Sequence, residues 1–138
     1  MQIKELMTSQ VELCSPGTTL LEAAREMKKR GIGFLPVGDD DRLAGTVTDR
    51  DIVIRGVAAG HEPRIATVAD VMSKEVLYLF EDQSLEEAAE SLARNAVRRM
   101  PVVDRDKRLT GVISLGDLAA QGLSAEVGDA LVEISKAA

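Results

Sequence analysis

The chain has 138 residues, of which 45% are hydrophobic and 2% aromatic, and a formal net charge of −6, which together predict one compact domain with an aliphatic core. Its acidity argues against nucleic acid as a main partner, because phosphate binding needs a basic face, and no apolar run approaches the roughly 20 residues that span a bilayer. The opening residues lack the apolar stretch of a signal peptide and the single cysteine, Cys14, allows no internal disulfide, so a cytoplasmic protein is expected.

Residues 2–60 recur, with many substitutions, as residues 67–122. Matching pairs lie 65 residues apart in the first part of the repeat and, after one inserted residue, 66 apart in the second: Met7-Thr8 with Met72-Ser73, Thr19-Leu20 with Ser84-Leu85, Pro36-Val37 with Pro101-Val102, Gly45 with Gly111, and Asp51 with Asp117. A duplicated chain carries a site twice or between its copies. Each copy of about 60 residues is marginally stable by itself, so the copies are expected to share a core and act as one module.

The first copy predicts a β-α-β-β-α unit that follows a short helical segment at Ile3–Met7. Its elements, in chain order, are a strand at Val11–Cys14, a helix from Leu20, strands at Phe34–Val37 and Leu43–Thr48, and a helix from Asp49 to a stop at Gly60. The first helix shows the i, i+3, i+4, i+7 spacing of one buried face, at Leu20, Ala23, Ala24 and Met27.

The second copy predicts the same order, followed by an additional helix. Its elements are a helical segment at Val68–Met72, a strand at Val76–Phe80, a helix from Leu85, strands at Met100–Val103 and Leu109–Ser114, and a helix from Leu115 to Gln121. The predicted fold class is α+β, in which each repeat is a small sheet packed against two helices. The predicted domains are residues 1–60 and 67–122 for the repeats, 61–66 for the linker, and 123–138 for a helical tail.

The segment most specific for a binding site follows the last strand of each copy. In Gly45-Thr46-Val47-Thr48-Asp49-Arg50-Asp51 and in Gly111-Val112-Ile113-Ser114-Leu115-Gly116-Asp117, a strand delivers a hydroxyl where a helix begins, and a carboxylate follows three residues later. The helix N-terminus attracts an anion such as phosphate, and the hydroxyl adds a hydrogen-bond donor. The carboxylate can accept hydrogen bonds from the vicinal diol of a ribose. These groups together suit a nucleotide.

The same pattern is also a capping box, in which hydroxyl and acid satisfy the free N–H groups at a helix start. The pattern is found, among other positions, at Thr19, Thr48, Thr67, Ser84 and Ser114. Two features favour a ligand role at Thr48 and Ser114. The acid there is the short Asp instead of Glu or Gln, and the strand leads directly into the helix. Capping and ligand binding are compatible, and both interpretations stay open.

The doubled unit, the Met-Thr and Met-Ser dipeptides, the Leu-Pro-Val and Met-Pro-Val strands and the two Gly-x-x-Ser/Thr-x-x-Asp segments resemble a tandem pair of cystathionine-β-synthase (CBS) domains over residues 1–122. The resemblance implies two sheets packed around a pseudo-twofold axis, with two related clefts between the repeats. Members of the family bind adenosine-containing ligands there (AMP, ADP, ATP, S-adenosylmethionine, sometimes NAD). They act as energy or metabolite sensors, and they often pair into a homodimer.

The resemblance also implies a set of ligand contacts in this chain. Hydroxyl residues contact phosphate or ribose, carboxylates hold the ribose hydroxyls, and apolar strand residues line the base. The hydroxyl residues are Thr48 and Ser114, and the carboxylates are Asp51 and Asp117. The apolar strand residues are Val47, Ile113, Leu35 and Met100.

Several residues distinguish the two implied clefts. Many relatives have Thr or Ser near the base where this chain has Leu13 and Tyr78, and the tyrosine either stacks on an adenine or packs its ring in a half-buried strand. An acidic protein needs local cations to hold phosphate. The candidates are Arg50 in the first motif, where the second has Gly116, and the pair Arg98 and Arg99, which otherwise form a solvated strand edge.

Catalysis and metal binding have little support in the sequence. It contains no P-loop and no cluster of metal ligands, Cys14 has no nearby base, and His61 is a lone imidazole in the linker. We therefore expect no enzyme and no cofactor, but a regulatory module that binds an adenine nucleotide or S-adenosylmethionine and signals to a separate effector protein. The alternative is a ligand-free dimerisation or scaffold module in which the Ser/Thr-x-x-Asp segments only cap helices.

Overall fold

A computed structural model describes residues 1–11 and 13–137 of the chain. Glu12, in the predicted strand Val11–Cys14, and Ala138, at the end of the predicted tail, lie outside the described residues. The chain forms two compact units: Glu12–Val76, here called the early unit, and Met1–Val11 together with Leu77–Ala138, here called the late unit. Within the described part of the chain, no helix combines the length and the apolar character that crossing a membrane requires.

The early unit contains a two-stranded antiparallel sheet and its helices. Its elements are α1 (Leu20–Arg30), β1 (Phe34–Asp39), β2 (Arg42–Thr48), α2 (Asp49–Asp51), which continues as a π-helix (Ile52–Val57), and α3 (Val68–Val71). The predicted strand at Val11–Cys14 is wrong in its described residues, since only Cys14 pairs, through one parallel bridge to Val37. Pro16 follows shortly afterwards and cannot donate to a continuing ladder.

The late unit contains a three-stranded sheet in the order β3-β4-β5, in which β3 and β4 are parallel and β4 and β5 antiparallel. Its elements are a 3-10 helix (Ile3–Glu5), β3 (Leu79–Phe80), α4 (Leu85–Asn95), β4 (Arg99–Val103), β5 (Leu109–Ser114), α5 (Leu115–Ala120) and α6 (Ser124–Ala137). The predicted strand at Val76–Phe80 is therefore shorter than expected. The predicted α+β class, with two small sheets, is confirmed.

Helix α1 forms where the apolar spacing predicts it, α4 begins at the predicted Leu85, and each buries one face. At the start of α1, the hydroxyl of Thr19 accepts a hydrogen bond from the backbone N–H of Glu22 at 3.2 Å. At its end, Gly31 adopts φ +66°, the left-handed conformation that a residue without Cβ adopts most easily. The local sequence thus sets both the start and the end of this helix.

The opening segment of each sequence repeat packs in the unit built mainly from the other repeat. In the late unit, Thr8 exchanges two backbone hydrogen bonds with Val112 in β5, at 3.0 and 2.9 Å. In the early unit, Ser73 does the same with Thr46 in β2, at 2.9 and 3.2 Å. The units of packing therefore do not coincide with the repeats of the sequence.

These exchanged segments also contribute core residues. Ile3 is fully buried in the core of the late unit, and Val68 and Val71 are buried in the core of the early unit. The backbone of Ile3 donates to the carbonyl of Gln83 at 2.9 Å, which fixes the segment against the late unit. Each core is consequently assembled from both halves of the sequence.

Glycine is required where the exchanged segments lie against the sheets. A Cβ atom at Gly45 would come within 2.2 Å of the carbonyl oxygen of Ser73, and one at Gly111 within 2.6 Å of that of Thr8. No side chain fits at such distances without moving the segment. The two glycines occupy equivalent positions of the repeat, so the duplication preserves this close approach in both units.

We predict that Gly111→Ala destabilises the protein by about 2 kcal/mol or more, because the new methyl group overpacks against the Thr8 backbone and disturbs its pairing with β5. Gly128, in α6, is the matched control: a Cβ atom there meets nothing within 4 Å. Gly128→Ala should instead stabilise the protein by up to about 1 kcal/mol through higher helix propensity. Urea unfolding measures both changes, and equal effects of the two substitutions would contradict the close approach.

Candidate functional site

The two sequence motifs lie at the junctions where β2 enters α2 and where β5 enters α5, with no intervening loop. At the first junction, the hydroxyl of Thr48 accepts from the N–H of Asp51 at 3.1 Å, and the carboxylate of Asp51 accepts from the N–H of Thr48 at 2.9 Å. Ser114 and Asp117 repeat this arrangement at 3.1 and 3.0 Å. Both motifs therefore form complete capping boxes, and all four residues are half-buried.

In the described part of the chain, the five caps that begin with Ser or Thr differ in whether the hydroxyl also donates a hydrogen bond. In three of them the hydroxyl also donates to the acid of the same cap: Thr19 to Glu22 at 2.9 Å, Ser84 to Glu87 at 3.2 Å, and Thr67 to Asp70 at 3.5 Å. Among the described residues, the hydroxyls of Thr48 and Ser114 donate to no acceptor, and the Oδ1 atoms of Asp51 and Asp117 accept from no donor. Each junction thus retains one hydroxyl donor and one carboxylate acceptor.

The four apolar residues that were expected to line the base are all members of the hydrophobic cores. Leu35 and Val47 are paired across β1 and β2 and are buried in the core of the early unit. Met100 and Ile113 are paired across β4 and β5 and are buried in the core of the late unit. Successive side chains on a strand alternate between its faces, so Val47 and Thr48 lie on opposite faces of the sheet.

The residue that shares a face with Thr48 is Phe34, its partner in the β1–β2 register. Phe34 is half-buried and was not among the expected site residues. Counting the hairpin back from Thr48 across the turn would give Gly33, and the bulge between Val37 and Gly38 shifts the partner to Phe34. The alternation of the sequence alone therefore does not identify Phe34. An aromatic ring beside the free hydroxyl offers a surface on which a flat base can stack.

At the second junction, the residue that pairs across the strands with the hydroxyl residue is positively charged. Arg99 pairs in register with Ser114 and is exposed. The neighbouring Arg98 accepts a hydrogen bond from the N–H of Leu115 through its backbone carbonyl at 3.0 Å, which places it beside the start of α5. The backbones of Arg98 and Arg99 therefore lie beside the second junction, and their role as phosphate contacts stays a prediction.

The equivalent positions at the first junction carry less positive charge. Gly33 stands in the place of Arg98, and its carbonyl accepts from the N–H of Asp49 at 3.0 Å. A Cβ atom at Gly33 would lie against the carboxylate of Asp49, so a larger residue there requires the Asp49 side chain to move. The cation of this junction is the exposed Arg50, which follows Thr48 by two residues.

Tyr78 makes its main contacts within the late unit. Its ring meets that of Phe80 edge to face, with 5.6 Å between the ring centroids and 87° between the planes. The ammonium group of Lys107 lies 6.0 Å from the Tyr78 ring centroid. The side chain is half-buried and packs its ring on these neighbours, and its stacking on an adenine stays a prediction.

Comparison with known proteins identifies the family of the chain. The sequence matches the CBS domain family twice, over residues 3–56 and 68–123. It is 41% identical over 134 residues to the CBS domain-containing protein YhcV of Bacillus subtilis (strain 168), and the match covers 96% of this chain and 94% of that protein. The family expected from the sequence motifs is thereby confirmed.

Solved structures resemble the chain over most of its length. The crystal structure of Hypoxic Response Protein I with two coordinated zinc ions has a TM-score of 0.79 and 37% identity, and the match covers 88% of this chain and 98% of that one. The crystal structure of CBSX2 in complex with AMP has a TM-score of 0.75 and 26% identity, with 91% and 98% covered. Both likenesses agree with the α+β fold described above.

The part of this chain that the structure describes contains no group of three or more His, Cys, Asp or Glu side chains arranged to hold a metal ion. Cys14 is half-buried beside β1, and burial raises the pKa of its thiol from 9.0 to about 11, although a backbone hydrogen bond partly opposes this shift. A thiol with such a pKa stays protonated at neutral pH and is a poor nucleophile. Cys14 therefore behaves as a small apolar residue.

We predict that iodoacetamide alkylates Cys14 much more slowly in the folded protein than in urea at every pH between neutrality and about 10. Because the folded pKa of about 11 lies above the ordinary 9.0, the contribution of the buried thiol to stability is complete below pH 9 and is lost as the pH rises through 11. Alkylation followed by mass spectrometry measures the rate. Fast labelling of the folded protein at neutral pH would show that the thiolate is accessible after all.

Proposed function

The chain belongs to the CBS domain family, and from this membership we propose that it is a regulatory module that binds an adenosine-containing ligand at the junctions of Thr48 and Ser114 and signals to a partner protein. The observation that carries the proposal is the difference among the five caps. Three caps use their hydroxyl internally, whereas the two that follow a strand directly keep a hydroxyl donor and a carboxylate acceptor. Those two groups are the ones that a nucleoside needs.

A ribose presents two vicinal hydroxyls, each able to donate and to accept a hydrogen bond. The free carboxylate oxygen of Asp51 or Asp117 accepts from such a hydroxyl, and the hydroxyl of Thr48 or Ser114 donates to a second ribose oxygen or to a phosphate. The cap holds both side chains in place through their other atoms. Little side-chain entropy is then lost on binding, because the side chains are already ordered.

The two junctions offer different chemistry to such a ligand. The junction at Ser114 is flanked by Arg98 and Arg99, which suits it to a phosphate of AMP, ADP or ATP. The junction at Thr48 combines the ring of Phe34 with Arg50, which suits it to an adenine base and a smaller or absent phosphate, as in S-adenosylmethionine. The net charge of −6 makes local cations necessary wherever phosphate is bound.

Support for the ligand class comes from a relative, since the CBSX2 structure was determined in complex with AMP. The free hydroxyl and carboxylate at the two junctions in this chain have the chemistry that such a ligand requires. A non-catalytic role fits the protonated state of Cys14 at neutral pH. A regulatory module acts on another protein, so the proposed function includes a partner that receives the signal.

The alternative function is a scaffold module without a ligand. It is favoured by the completeness of the caps at Thr48 and Ser114, which satisfy the helix starts without any further group. The two functions differ in what the free groups do. In a scaffold, their partners are water molecules, whereas in a sensor they are the ribose and phosphate of a nucleotide.

We predict that at least one adenosine compound among AMP, ADP, ATP, S-adenosylmethionine and NAD raises the melting temperature of the protein. At a ligand concentration 100 times the Kd, binding to the folded state alone adds about 2.7 kcal/mol of stability. Differential scanning fluorimetry with millimolar ligand, with guanosine nucleotides as the control, measures the shift. Unchanged melting with all five compounds would favour the scaffold alternative.

For a compound that binds, Asp51→Ala and Asp117→Ala should each weaken binding at one junction by about 10- to 150-fold, because each removes a charged hydrogen bond worth about 1.5–3 kcal/mol. Asp70→Ala is the matched control, since Asp70 caps Thr67 through the same 2.9 Å bond but belongs to a cap whose hydroxyl is already used. All three variants lose a cap of similar strength. Isothermal titration calorimetry that finds one common affinity for the three would exclude the ribose role.

A further inference from the structure

We propose that the late unit binds a free α-amino acid, in its zwitterionic form, in a groove between α4 and the edge strand β3. Neither candidate junction contributes a residue to this groove, so the inference does not depend on the binding of an adenosine ligand. It follows from the volume of the groove, from its aromatic wall, and from two opposite charges that the fold leaves unused.

The groove has a volume of about 450 Å³, which lies in the range of sites that hold small molecules. It is open to solvent along one side of α4. The residues that line it all belong to the late unit: Tyr78, Leu79 and Phe80 from the region of β3, Gln83 from the turn that follows, and Glu87, Glu90, Ser91 and Arg94 from α4.

The groove at the equivalent positions of the first repeat is smaller, with a volume of about 220 Å³. There, Glu26 and Arg30 line the groove and form an ion pair with each other. In the second repeat, the smaller residues Ser91 and Asn95 stand at their positions. The additional space is therefore specific to the late unit and is not a general feature of the repeated fold.

Tyr78 and Phe80 give the groove an aromatic wall. Their rings are held in place by the loop between β4 and β5, because the guanidinium of Arg105 lies 4.2 Å from the Phe80 ring centroid and the ammonium of Lys107 lies 6.0 Å from that of Tyr78. Arg105 is itself fixed by an ion pair with Asp82 at 2.8 Å. Both rings are half-buried and ordered, so the side chain of a ligand can pack against them at little cost in entropy.

Of the three charged side chains that line the groove, the fold uses one. The carboxylate of Glu87 accepts hydrogen bonds from the hydroxyl of Ser84 at 3.2 Å and from the amide of Gln83 at 3.0 Å. The side chains of Glu90 and Arg94 are exposed and make neither an ion pair nor a hydrogen bond with any described residue. The groove thus offers one unused carboxylate and one unused guanidinium.

These two charges suit a zwitterion. Glu90 and Arg94 are one helical turn apart, so their Cβ atoms are about 5–6 Å from each other. An α-amino acid has its ammonium and carboxylate groups on the same carbon atom, so Glu90 can accept from the first while Arg94 donates to the second. A peptide terminus or a simple amine presents only one of these charges. The same spacing on α1 leads to the ion pair of Glu26 with Arg30, in the smaller groove.

Ser91 adds a donor on the buried side of the groove, where it is 6% exposed. Its hydroxyl accepts from the amide of Asn95 at 3.3 Å, and its acceptor among the described residues is the sulfur of Met100 at 3.6 Å. A thioether is a weak acceptor. A carboxylate oxygen in the groove is a stronger one, so the carboxylate of the amino acid has Ser91 as a second donor beside Arg94.

Titration of the full chain with L-phenylalanine, followed by two-dimensional ¹H–¹⁵N NMR, tests the proposal. We expect saturable shifts of the amide signals of Ser91 and Arg94 at millimolar concentration and none at Thr48 or Ser114. Two matched compounds each lack one charge: 2-phenylethylamine has no carboxylate, and 3-phenylpropionate has no ammonium. Each should bind at least about 10-fold more weakly than L-phenylalanine, because one charged group of the groove loses its partner.

Variants of the groove give a second test. Glu90→Gln and Arg94→Gln should each weaken the binding of L-phenylalanine at least about 10-fold. Lys29→Gln is the matched control, because it removes a positive charge from the exposed position of α1 that is equivalent to Arg94, and it should leave the affinity unchanged. All three positions are exposed, and circular dichroism melting confirms that each variant is folded.

Three results would overturn the proposal. The first is the absence of saturable shifts at the groove with millimolar L-phenylalanine and with every other common amino acid. The second is binding of 2-phenylethylamine as tight as that of L-phenylalanine, which would make the groove a site for amines. The third is an equal effect of Arg94→Gln and Lys29→Gln. Loss of adenosine binding with unchanged binding of L-phenylalanine would bear on the proposed function alone.

Discussion

The exchange of opening segments between the two halves of the chain is the constraint on which the rest of the structure depends. The backbones of Thr8 and Ser73 lie so close to the last strands that only Gly111 and Gly45 fit beneath them. Through these contacts each half receives a strand partner and buried side chains, such as Ile3, that its own sequence does not supply. A repeat of about 60 residues, marginal by itself, gains stability from the other half. Each unit thus depends on residues from both repeats.

The same pairing places the candidate site. The exchanged segment pairs with the middle of β2 or β5, and the end of that strand continues directly into a helix. Thr48 or Ser114 is the last residue before the helix. At this position the side chain serves the helix as a cap and still keeps a proton to donate. The two halves then diverge through the cross-strand partner, Phe34 in one and Arg99 in the other. The same repeated fold therefore carries two junctions of different chemistry.

The sequence predicts those features whose physical cause is local. Helix α1 follows from its apolar spacing and from the cap at Thr19, and the family follows from motifs that recur in order. The exchange of segments is not predictable in this way, because Thr8 has the same local chemistry whichever strand it pairs with. The expectation that Val47 lines a base stays a prediction. The structure adds that Val47 belongs to the core of the early unit, which a position transferred from a family does not reveal.

The two junctions differ in the helix that follows them. Asp51 ends α2, and the π-helix begins at the next residue, with Val53, Ile54 and Val57 exposed on it. In the second repeat, alanines stand at the positions of Val53 and Ile54, and Leu123, at the position of Val57, packs against the core of the late unit. A ligand held by Asp51 therefore restrains a helix with an exposed apolar side, whereas a ligand held by Asp117 restrains a helix without one. A ligand shifts an equilibrium between two states only by the difference in its affinity for them, so a signal from the first junction requires two states of the early unit that present Asp51 differently.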